Sequence, residues 1–210
     1  MNAAKDCTLQ EKLLRCAMAL ILAAGALLAS VAASPAYAAP STVDVSIGGK
    51  IPYGGFATTW MSADGNIAYC AEPSSPTPAP GSYSTSPVPS ADVTAAIWYS
   101  FGSPGFDASM FPGSWYDGGG WDDAKYAAAS HVLIAYAYSG SESAATHGTS
   151  AEFASWAKSE LIGGTFAKMK AGAGRVSAGF EAFCVRTGGG SQTLVSFSWS
   201  TGGVKVAKTD

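Results

Sequence analysis

Residues 121–138 read WDDAKYAAASHVLIAYAY, and this stretch decides the fold class. Asp122 and Asp123 stand where carboxylates suit the positive end of a helix dipole, and the alanine-rich run from Ala124 to Tyr138 has high helix propensity. Gly140 supplies the stop. This is the strongest helix in the chain. Asp92–Phe101, with Asp92 near its N-cap, and residues 150–161, capped by Ser150, predict two further helices beside it.

Outward from this middle the pattern turns to strands. Val43–Ile47 alternates, Phe56–Trp60 and Ile67–Cys70 form a hairpin closed near Ala63-Asp64-Gly65-Asn66, and Phe180–Arg186 and Thr193–Trp199 follow the helices. Strands flanking a small helical subdomain predict an α+β fold, with the strands in a sandwich-like or barrel-like arrangement. Residues 72–89 (EPSSPTPAPGSYSTSPVP) lie between two apolar stretches and read as an extended surface loop laid over the domain.

Composition narrows the function. Charged residues are 13% of the chain, hydrophobic residues 48% and aromatics 11%, enough for a packed core. Twelve basic against fifteen acidic residues give a net charge of −3, with no electrostatic footprint for nucleic acid. There is no phosphate loop, dinucleotide-binding glycine motif or paired-histidine metalloprotease motif. With only two histidines, His131 and His147, and no cysteine pair at ligand spacing, neither a metal nor a cofactor is expected.

Residues 1–38 read as a secretory signal peptide. Lys5, Lys12 and Arg15 precede an apolar run from Ala17 to Ala33, and Ala36-Tyr37-Ala38 is a small-x-small cleavage site. The run is short for a membrane anchor and ends in Ser-Pro rather than a basic flank, so membrane contact is expected only during export. Cleavage removes three basic and two acidic residues, which takes the charge from −3 to −4. It also removes Cys7 and Cys16, leaving Cys70 and Cys184.

Three readings of Cys70 compete. In an exported protein two cysteines imply a Cys70–Cys184 disulfide. Alternatively, Cys70 is a catalytic thiolate with His131 as its base, making an acyl-transfer enzyme. No helix N-terminus or cluster of cations follows Cys70 to depress its pKa, which weighs against that enzyme. The third reading is an internal thioester, in which the cysteine sulfur has displaced the side-chain amide of a glutamine.

Tyr69-Cys70-Ala71-Glu72-Pro73, with Pro76-Thr77-Pro78 and Gly81-Ser82-Tyr83, resembles the thioester domains of Gram-positive surface adhesins and pilus-tip proteins. The stretches Ala95–Gly105 (AAIWYSFGSPG) and Trp121–Tyr136 are similar to that family's helices, and the resemblance spans roughly Tyr53–Ile162. It implies a cell-surface adhesion head rather than an enzyme, whose thioester is a masked electrophile captured by a nucleophile on a host protein or glycan. In the implied motif a glutamine on the main helix is the acyl partner, and His131 holds that position. Imidazole has no acyl carbon, so the match counts against covalent competence. Gln192 is the one glutamine beyond residue 38 and lies outside the motif.

Two further features complete the reading. Trp115, Tyr116 and Trp121, interleaved with acidic residues, suggest a ligand surface for a non-covalent, disulfide-stapled carbohydrate or protein binder. Residues 203–210 resemble the first strand of the B-type repeats of collagen-binding adhesins, with Lys208 at the position of an isopeptide lysine. The expectation is therefore a signal peptide (1–38), a head (39–201) and the first strand of a stalk repeat (202–210). The whole is secreted or cell-surface, a monomeric head on a longer, cell-wall-attached stalk.

Overall fold

Six strands close into an antiparallel barrel in a computed structural model that describes residues 39–200. The leader at 1–38 and the strand at 202–210 with Lys208 lie outside the described residues. The strands are β1 (Thr42–Tyr53), β2 (Phe56–Ala63), β3 (Asn66–Cys70), β4 (Gly81–Pro87), β5 (Phe180–Arg186) and β6 (Leu194–Trp199). Their order around the barrel is β1-β2-β3-β6-β5-β4. The helices fall between β4 and β5 in sequence: α1 (Ala91–Tyr99), α2 (Asp123–Ser139), α3 (Glu142–Ala145), α4 (Ala151–Trp156) and α5 (Ala167–Ala171). The fold is α+β, as the sequence predicts.

Side-chain alternation divides two apolar clusters. Val43, Val45, Met61, Ala63, Ala68, Cys70, Phe183, Val185 and Leu194 fill the barrel. The outer wall of the barrel packs with α1 and α2 in a larger cluster that includes Ile51, Tyr53, Tyr69, Cys184 and Val195. A bulge sets which β1 residues belong to which side. Ile47 pairs with Met61 and Lys50 with Thr59, so Gly48 and Gly49 together oppose Trp60. The extra residue reverses the parity of the strand, turning Ile51 and Tyr53 outward onto the helices instead of into the barrel.

Local signals locate most of the ends. Asp64 (φ 49°) and Gly65 (φ 79°) make the primed turn expected between β2 and β3. Asp122 caps α2 by accepting from the Lys125 N–H, and Gly140 (φ 68°) ends it in the left-handed region. Every residue from Ala127 to Ala135 is buried, as expected for a helix that is apolar all round and enclosed on every side. For α1 the cap is Ser90 rather than the expected Asp92. The helix expected at 150–161 does start at its Ser150 cap, but it runs on as a π-helical stretch, Ala157–Phe166, into α5.

The extended-loop reading of 72–89 is half right. Residues 72–80 do form a loop, whereas Gly81–Pro87 is β4, pairing with both β1 and β5. Its Ser/Thr composition gives no apolar alternation, and only its two neighbours make it a strand.

The turn joining β1 to β2 is packed beneath α4. Gly54 sits at φ +53°, where a Cβ would overlap the Phe153 ring, and its carbonyl accepts the Ser150 N–H at 2.6 Å. Gly54→Ala combines a strained φ with overpacking and is expected to destabilise the protein by about 3 kcal/mol. A urea midpoint unchanged by the substitution would refute this.

Candidate functional site

Beyond Met61 and Ala68, β2 and β3 no longer pair with each other. From there β3 continues against β6, with Cys70 opposite Leu194, while β2 continues against β1. The two strands splay, and backbone groups at the end of β3 lose the partners a continuous ladder would give them. His131, from the middle of α2, fills the gap. Its Nδ1 accepts the Cys70 backbone N–H at 3.3 Å, and its Nε2 is 2.6 Å from Thr58 Oγ1 on β2.

These contacts fix the tautomer. The Cys70 N–H is only a donor, so Nδ1 is unprotonated and the ring proton sits on Nε2, donating to Thr58 Oγ1. The Thr58 hydroxyl proton is then free to point at Cys70 Sγ, 3.7 Å away. Burial holds the imidazole neutral by depressing its pKa to about 3, against its hydrogen bonds to the Cys70 and Thr59 backbone. Tyr69 closes over the ring edge-on at 5.4 Å. His131 is thus a satisfied positioning residue, and the bond it makes to Cys70 is through the backbone.

The thiol meets a different side chain. Gln192, two residues before Leu194, is 2% exposed and lines the same pocket as the Cys70 thiol. Its main chain is secured on both sides, the N–H to Pro76 O at 3.0 Å and the carbonyl accepting from Thr187 Oγ1 at 2.7 Å. The next residues bind the segment after the cysteine: Thr193 N–H donates to Glu72 Oε2 and Ala71 N–H to Thr193 O, both at 2.9 Å. Gln192 Oε1 is buried with no hydrogen-bond partner among the described residues. An orphaned carbonyl of this kind costs about 1–3 kcal/mol and calls for an explanation.

Burial pushes the Cys70 thiol up to about 12, with the polar side chains of Thr58 and Gln192 opposing the shift. A thiol at that value is neutral at physiological pH, and no imidazolium faces it. The arrangement lacks the ion pair of a cysteine hydrolase. A pocket of about 360 Å³ joins Cys70, Gln192, Thr58 and His131 to the surface, walled by Tyr53, Phe56 and the 73–77 loop, with His147 also lining it.

The Cys70–Cys184 disulfide is not formed, and register explains why. Both thiols are free and buried. Cys70 pairs with Leu194 and Cys184 with Val195, neighbouring residues of β6 whose side chains point to opposite faces. One sulfur is inside the barrel, the other is on its outer wall, and a strand lies between them, a separation no disulfide spans.

The aromatic ligand surface also needs correction. Trp115 is 4% exposed and packs at 5.1 Å against both Trp121 and Trp156. Tyr116 and Trp121 are half-buried against the same cluster. These rings pack the 106–120 loop against α4, and Trp115 and Tyr116 also line a second pocket. Thr58 was invisible as a site residue in the sequence, for a lone threonine on a strand carries no motif. Gln192 had one signal, its being the sole glutamine beyond residue 38.

Among the described residues no cluster of side chains suits a metal, and no helix is long and apolar enough to cross a membrane. A family model described as "Thioester domain" matches residues 42–164, more than half of the chain. No curated protein and no solved structure matches. The family match ends before β5 and β6, the strands that close the barrel and carry Gln192 to the cysteine.

Proposed function

Because this chain belongs to the thioester-domain family, we propose that it is a covalent attachment module whose electrophile is a thioester between Cys70 and Gln192. The observation that carries this reading is the pairing of a buried thiol with a buried, carbonyl-orphaned carboxamide in one pocket. Cys70 Sγ attacks Gln192 Cδ, the C–N bond breaks, and the thiol proton leaves with the amide nitrogen as ammonia. Thr58, oriented by His131, holds its hydroxyl proton toward the sulfur while the new bond forms.

Burial then protects the product. A thioester at the Cys70 position, only 4% exposed, is shielded from bulk water. An amine entering through the 73–77 mouth attacks Gln192 Cδ, forms a stable amide and releases the Cys70 thiol. One capture consumes the site, so the protein is an adhesive rather than an enzyme. A host-surface protein bearing an accessible amine is the partner class this chemistry selects, and an extracellular, stalk-mounted head is the setting in which it is useful.

The intact mass of the full chain, purified without reductant, tests the reading. The expected mass is one ammonia below that of the free-thiol chain, allowing for any leader cleavage, and incubation with methylamine restores it with one methylamine added. A mass deficit of two hydrogens, or none, overturns the thioester.

A further inference from the structure

Attack on the thioester by an alkylamine requires a step that the buried residues cannot perform. The amine arrives as an ammonium and must lose a proton before its lone pair is available. His131 is enclosed and its Nδ1 is occupied by the Cys70 N–H. Tyr53, at the pocket wall, has its phenol pKa raised by burial and by the neighbouring cysteine. No carboxylate lines the pocket among the described residues.

His147 is the exception. It lines the same pocket as Cys70 and Gln192, it is exposed, and its ring meets the edge of Phe56 at 6.5 Å. The loop carrying it is held in place at two points. Ser150 N–H binds Gly54 O at 2.6 Å, and Gly148, at φ +74°, leaves room for the Phe56 ring that any Cβ would overlap. The chain's only two histidines therefore share one pocket, one sealed at its base and the other open at its mouth.

Resting on the Cys70–Gln192 reading, we propose that His147 is the general base of capture, taking the proton from the incoming ammonium of an alkylamine such as a lysine side chain. The balance is complete: one ammonium proton passes to His147 and on to water, the amine nitrogen bonds Gln192 Cδ, and the C–S bond breaks. A second nitrogen proton ends on Cys70 Sγ as the thiol. A base at the pocket mouth favours ordinary alkylamines, whose high pKa otherwise leaves little free base near neutral pH.

The test compares two nucleophiles on wild type and His147→Gln, following incorporation by intact mass at neutral pH. Biotinylated pentylamine is protonated under these conditions, whereas hydroxylamine is already free base. The expected result is a fall of about a hundredfold for pentylamine, an unchanged rate for hydroxylamine, and partial rescue of the pentylamine rate by added imidazole. Equal losses for both nucleophiles would reassign His147 to shaping the pocket, and unchanged rates for both would remove it from the reaction; either overturns the proposal. So does a His147→Gln protein that never loses ammonia, because His147 would then act in bond formation. A wild type without the ammonia deficit refutes the thioester itself, a separate outcome.

Discussion

Gln192→Glu and Cys70→Ala are each expected to eliminate the ammonia deficit and reduce amine labelling to background, while His131→Gln retains both. Gln192→Glu is the sharper variant, since it preserves shape but offers a carboxylate, which a thiol does not displace unaided. The same substitution removes a cross-link. A bond from Cys70 at the end of β3 to Gln192 before β6 closes a loop of more than a hundred residues that contains every helix of the described residues. By the chain-entropy relation used for disulfides, such a closure is worth about 5 kcal/mol. Gln192→Glu and methylamine-treated wild type should therefore show the same large drop in urea midpoint, although only the first is a mutant. A midpoint that survives methylamine capture would show that the bond does not brace the barrel.

The elements of this fold were legible wherever a local signal defined them. Asp122 and Gly140 bracket α2, Ser150 starts α4, and Asp64-Gly65 turns β2 into β3, each through chemistry confined to a few residues. Closure of the barrel was not, because it depends on β4, whose serines and threonines look like loop until β1 and β5 are in place on either side. The site divides in the same way. Cys70 stands out in the sequence, but the carboxamide that shares its pocket is placed there by pairing across 122 positions. The helical motif position leads to His131, whereas the Cys70–Leu194 register brings Gln192 into the pocket of the thiol. The disulfide expectation was wrong for a related reason: counting cysteines cannot reveal that Cys70 and Cys184 face opposite sides of one wall.

Acid should loosen the protein through His131. Its ordinary pKa of 6.5 falls to about 3 in the folded state, so the native protein binds fewer protons than the unfolded chain between those values. The stability contributed by the neutral ring is complete above about pH 6.5 and is lost as pH falls toward 3, at about 1.4 kcal/mol per pH unit. A glutamine at this position can accept the Cys70 N–H through its oxygen and donate to Thr58 through its nitrogen, without a group that titrates. Between pH 6.5 and pH 5 the unfolding free energy of wild type should fall by about 2 kcal/mol more than that of His131→Gln, a comparison that cancels the carboxylates and His147 common to both. Urea titrations across this window decide it. Parallel curves would mean that the ring admits a proton at little cost, through rotation or water entry, and that the buried His131–Thr58–Cys70 array is softer than its geometry implies. Diverging curves would identify the same desolvation that keeps the imidazole neutral as what keeps the array in register at neutral pH.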